Sequence, residues 1–224
     1  MSTGSWKQWR VPAGLIALSA VPIIAGASRL DQLARGATVT AANQRFFDQP
    51  LPLVLHIVGA SVFCVLGAFQ FVPSLRRRPW HRIAGRIALP LGIVASLSGL
   101  WMTFFYQWPP GDELSLAVVR VVAGAGMTVS LVLALTAVRR RDFRAHRAWV
   151  TRGYALGLVG TQVITHLPWI AATGHPPLGW PRTFLMALAW GINIAVAEWA
   201  IRRRPMGAPM PRRVAQPAYA TDAA

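Results

Sequence analysis

Residues 51–82 read LPLVLHIVGASVFCVLGAFQFVPSLRRRPWHR. Through Ser74 the run carries no Asp, Glu, Lys or Arg. At about 1.5 Å per helical residue, a run of that length crosses about 30 Å of hydrocarbon. It stops at Arg76-Arg77-Arg78, and Pro79-Trp80-His81-Arg82 opens the next apolar run. The same junction recurs at Arg139-Arg140-Arg141, followed by Asp142-Phe143-Arg144-Ala145-His146-Arg147. Each block ends one span and begins another. The excess of arginine puts both turns on the cytoplasmic side of a membrane.

Composition extends that reading to the whole chain. It is 54% hydrophobic and 13% charged, about half the charged fraction of a soluble domain. The short alternating segments of a membrane β-barrel are absent. The expected fold is all-α: a polytopic helix bundle with spans at roughly 11–27, 51–74, 82–106, 115–138, 148–171 and 182–201. Pro12, Pro22, Pro73, Pro90 and Pro168 fall in or near them, as membrane helices tolerate. Spans two to five form two arginine-turn hairpins and the expected four-helix core. His56 precedes Arg76 by as many residues as Arg120 precedes Arg140, a loose sign of duplication. Residues 205–224, rich in Pro, Gly and Ala, read as a disordered cytoplasmic tail.

The net charge is +16. Because the arginines sit at span ends, this charge points to topology and anionic headgroups, not nucleic acid. Lys7 and Arg10 precede the first span, and Arg202-Arg203-Arg204 follows the last. The 107–114 and 172–181 loops hold no Arg or Lys. Both termini are therefore expected in the cytoplasm of a bacterial cell, with the bundle in its inner membrane. The 28–50 loop, with Arg29, Arg35 and Arg45 against Asp31 and Asp48, is the exception. Residues 1–27 also have the layout of a cleavable signal sequence ending near Ala25-Gly26-Ala27; the remaining topology is the same either way. Trp101, Trp108, Trp169 and Trp180 fall near outer interfaces, and Trp80 and Trp149 near inner ones, as aromatic belts require.

Depth counting sorts the histidines into layers. His56 lies about 7–8 Å inside the outer end of its span, and His166 lies at similar depth in the fifth. His81 and His146 both open helices at the inner face. Paired histidines on facing helices are the axial ligands of a b-type haem, so His56 with His166 and His81 with His146 are candidate pairs. Gly59 and Ala60 follow His56 on its own face, and Ala84 and Gly85 follow His81, leaving room for a ring. Arg86, Arg120 and Arg152 lie inside spans, where a charge needs a partner. Haem propionates or another anion are candidates, as is Glu198 for Arg86 and Arg152. The single cysteine, Cys64, reads as a small apolar residue. No nucleophile–base pair, HExxH motif, P-loop or nucleotide fingerprint is present, so no hydrolase is expected.

The pattern His56-x2-Gly59-Ala60-x6-Gly67-x2-Gln70-Phe71, His81-Arg82-x2-Gly85-Arg86 and His146-Arg147-x-Trp149-x2-Arg152-x-Tyr154 resembles a large bacterial family of multi-pass membrane proteins. That family is known as a domain of unknown function, a predicted membrane protein. The resemblance covers roughly 50–170 and implies a helical membrane fold without a settled activity. It also implies arginine more often than histidine near 166, so His166 departs from the pattern. The arrangement, not the motifs, is similar to di-haem cytochromes of the b561 type, which is analogy only. Three functions stay open: haem-based electron transfer; a small transporter using Arg120, His56 and Gln70; and an accessory protein that binds lipid or partners through its arginine turns.

Overall fold

A computed structural model describes residues 4–76 and 78–203. The chain is a helical membrane protein, and six helices are long and apolar enough to span. A single turn, α1 (Gly4–Lys7), precedes α2 (Arg10–Ala34). A short α3 (Gln44–Asp48) leads into α4 (Pro50–Gln70), α5 (Pro79–Phe105) and α6 (Leu114–Arg139). The fifth span is two helices, α7 (Phe143–Gly157) and α8 (Gly160–Thr173), and α9 (Gly179–Arg203) is the sixth. The expected tail at 205–224 lies outside the described residues.

The two arginine junctions are built differently. Arg78 is extended before Pro79, the first residue of α5, because proline disfavours helical backbone in the residue before it. At the second, Asp142 N–H bonds the Ala137 carbonyl and Arg141 N–H the Val138 carbonyl. This Schellman closure needs a left-handed residue, and Arg141 takes it at φ 60°. Asp142 then caps α7, accepting from Ala145 N–H at 2.9 Å. Arg141→Gly should stabilise the protein by about 1 kcal/mol by relieving that backbone; a thermal melt that does not rise would count against it.

The expected four-helix core is present. α4 packs most extensively on α5, and α6 on α7, with α5 against α6 joining the hairpins. Phe63, Cys64, Ala68, Ala88, Met127, Leu131, Tyr154 and Leu158 form its centre. Aromatic rings reach the middle because glycines leave space: a Cβ on Gly92 would lie 2.6 Å from Phe63, and one on Gly67 would fall on the Tyr154 ring. Tyr154 donates its hydroxyl to the Cys64 carbonyl at 2.8 Å, which satisfies a buried phenol.

Two spans, the first and the fifth, differ most from expectation. The first helix runs on to Ala34 because its polar last turns pair internally, Arg29 with Gln32 and Arg35 with Asp31. The fifth span begins earlier, at Phe143, where Asp142 caps it. It also breaks at Leu158–Val159, between Gly157 and Gly160. A break in the apolar layer frees carbonyls that lipid cannot satisfy. Neighbouring spans do so here: Asn193 donates to Ala155 and Leu158, Trp190 to Leu156, and the Cys64 thiol to Gly157.

Candidate functional site

The half of the bundle away from the arginine turns holds a cavity of about 440 Å³, walled by α2, α4, α5, α6, the α7–α8 break and α9. Its rim is charged. Asp112, in the loop after α5, accepts from Arg120 of α6 at 2.7 Å and from Arg182 of α9. The carboxylate is 1% exposed, and the two arginines are 27% and 28% exposed. Arg45 of α3 also lines the cavity. Its guanidinium lies 4.4 Å from the Phe46 ring centroid, and Arg29 lies 4.9 Å from the same ring. Burial and the neighbouring Arg29 push the Arg45 pKa below its ordinary value, against the pull of Asp112.

Two glycine turns hold this rim. Gly179 N–H bonds the Gly111 carbonyl at 2.9 Å, and both residues have left-handed backbone. A Cβ at Gly111 would press into Leu178, and one at Gly179 into Glu113. The two loops therefore lie directly against each other, which sets Asp112 between Arg120 and Arg182. Three arginines against one aspartate leave two positive charges among the cavity's charged residues.

Below the rim, His56 lines the cavity and its Nδ1 meets the Ala95 carbonyl at 2.8 Å. Gln162, in the first turn of α8, also lines it, and its Nε2 is buried without a hydrogen-bond partner. Such a donor costs free energy until an acceptor reaches it.

The structure thus joins Arg120 and His56, as depth counting expects. It does not bring Gln70 to them. Gln70 is at the other end of α4, about 21 Å along the helix from His56. There it faces α5: its Oε1 lies 3.9 Å from where a Gly85 Cβ would be. His81 lies within electrostatic reach of Arg76 and of His146. His146 Nδ1 bonds the Ala134 carbonyl at 2.8 Å, whereas Gln70 Nε2 and His81 Nδ1 are buried without partners.

Nothing in this arrangement singles out a haem b site. His166 does not share the cavity that His56 lines, and its Nδ1 bonds the Gln162 carbonyl of its own helix. Arg152 is committed to Glu198 through two bonds, at 2.6 and 3.2 Å, with Arg202 at 3.7 Å from the same carboxylate. Arg86 is exposed on α5. Among the described residues, no group of three or more His, Cys, Asp or Glu could hold a metal ion.

Sequence reasoning missed Arg45, Arg182, Asp112, Gln162 and Trp190. Arg45 looked like a loop charge against the topology rule, and Arg182 like the first residue of a span. One signal was present: Arg182, Met186 and Trp190 recur at helical spacing, which puts them on one face of α9.

No curated protein and no solved structure matches the chain. The family model described as "Predicted membrane protein (DUF2306)" matches residues 53–201, from the first turns of α4 to the end of α9. That segment includes Arg120, Asp112, Arg182 and the broken span, and with well over half of the chain matched, this protein belongs to that family.

Proposed function

We propose that the protein binds a small organic anion in this cavity and carries it through the membrane. The carrying observation is the rim, where Arg45, Arg120 and Arg182 face a single carboxylate, Asp112. Fixed guanidiniums beside low-dielectric walls favour an anion, and Arg binds carboxylate or phosphate through paired N–H groups. The unpartnered Gln162 amide adds a donor. The broken span at the cavity also supports carriage, since transporters hold substrates at discontinuous helices.

Arginine asymmetry supports a bacterial inner-membrane location with both termini cytoplasmic. The cavity then lies toward the extracytoplasmic face. Arg139, Arg140, Arg144 and Arg82 are exposed at the opposite end, placed to meet anionic lipid headgroups.

Trp108 and Trp190 line the cavity, so intrinsic fluorescence reports occupancy. In lipid nanodiscs, decanoate or succinate should change it saturably. Arg120→Gln and Arg182→Gln should each weaken binding about tenfold or more, the loss of one charged hydrogen bond of about 1.5–3 kcal/mol. No saturable response to either probe would overturn the reading. Uptake into proteoliposomes that tracks binding across these variants would establish carriage; binding without uptake would remove it.

A further inference from the structure

The cavity lining is graded, and the gradient specifies the class of anion. On α6 the facing residues run Arg120, Ala123, Gly124, Met127; on α9 they run Arg182, Met186, Trp190. Both rows follow helical spacing. Each helix therefore presents an arginine at the rim and small or apolar side chains for the next two turns. α4 continues the wall from Leu53 to Cys64, about 16 Å along its axis. Phe63 and Met127 meet at the floor, where both would touch a Cβ on Gly157, at 2.8 and 3.0 Å.

Several polar groups along this wall are already occupied. Ser19 bonds the Leu15 carbonyl, and Ser96 bonds the Ile93 carbonyl while accepting from Thr128. His56 is tied to Ala95. A polar solute would find its partners chiefly at the rim and at the unpartnered Gln162 amide below it, while an apolar chain would displace water from the remaining apolar wall.

We propose that the anion is amphiphilic: a single-chain carboxylate or phosphate monoester, its head among Arg45, Arg120 and Arg182 and its tail reaching toward Phe63 and Met127. This rests on the anion-binding reading above and names its ligand class. The size agrees. The cavity holds about 440 Å³, room for on the order of fifteen water-sized groups at about 30 Å³ each. That suits one medium-length chain.

The test uses the full chain in phosphatidylcholine nanodiscs, with saturated carboxylates from hexanoate to hexadecanoate, decyl phosphate, succinate and decanol as probes. The signal is the fluorescence difference between wild type and Trp190→Phe. Affinity should rise about fourfold per added methylene until the cavity is full, then level off. Partition into empty nanodiscs should keep rising. Ala60→Phe, which narrows the lower cavity, should weaken decanoate at least tenfold and leave hexanoate within about twofold. Decanoate against decyl phosphate identifies the preferred head. If succinate binds as tightly as decanoate and chain length has no effect, the amphiphile is overturned and the anion reading stands. If decanol matches decanoate, or no probe binds saturably, both readings fall.

Discussion

Replacing Gly160 with alanine is expected to unseat the first span from the broken fifth. A Cβ at Gly160 would fall on the backbone carbonyl of Leu18, with its oxygen, carbonyl carbon and Cα all in reach. Side-chain rotamers cannot relieve a clash with backbone, so α2 and α8 must move apart. The cost should be about 3 kcal/mol or more, which lowers a melting midpoint by roughly 6–12 °C for a protein of this size. Leu18→Ala should not rescue the variant, because the obstructing atoms are main chain. An unchanged midpoint would mean that α2 does not pack on α8 at this point. Anion binding should fall as well, since Ser19, Pro22 and Ile23 of α2 wall the cavity.

Asn193→Ala should have the next largest effect. Asn193 is buried, with three bonds to the broken span: its amide donates to Ala155 and Leu158 at 3.0 and 2.6 Å, and its oxygen accepts from Thr161 at 2.6 Å. The break at Leu158–Val159 strips these carbonyls of helical partners, and lipid offers no replacement. Alanine would leave three polar groups unsatisfied. Buried orphans cost about 1–3 kcal/mol each, while single hydrogen bonds in membrane proteins average nearer 0.6. A loss of about 2–4 kcal/mol is therefore expected. Asn193→Asp should be worse than alanine, because it turns carboxylate oxygens toward two carbonyls. Hydrogen exchange should quicken at residues 155–161 in both variants. Protection there equal to wild type would show that the break is held by something other than Asn193.

The candidate site was legible to very different degrees. Arg120 and His56 could be found because a charge or imidazole inside an apolar run has a definite depth, and depth along a helix is simple counting. Gln70 failed by the same measure: it shares a helix with His56 but lies at its other end. Arg45 was hidden because a loop residue has no depth until the loop is placed, and α3 places it at the cavity rim. Asp112 carried no signal beyond an arginine-free loop, yet it accepts from Arg120 and Arg182 of two different spans. The helix break left only the pair Gly157 and Gly160, which elsewhere would mean close packing.

By itself the sequence determined six spans, two arginine turns on one side and a four-helix core. Hydrocarbon admits only segments that satisfy their own backbone, in this chain long apolar helices, and arginine blocks remain at the ends of those helices. Those rules act along the chain and need no neighbour. Tertiary structure decided which charges meet, where the fifth span breaks and what satisfies the break. Those outcomes depend on contacts between residues far apart in the chain: Asp112 with Arg182, Asn193 with Leu158, Leu18 with Gly160. No periodicity encodes such contacts, because each is a close approach of two surfaces that exist only after the spans have packed.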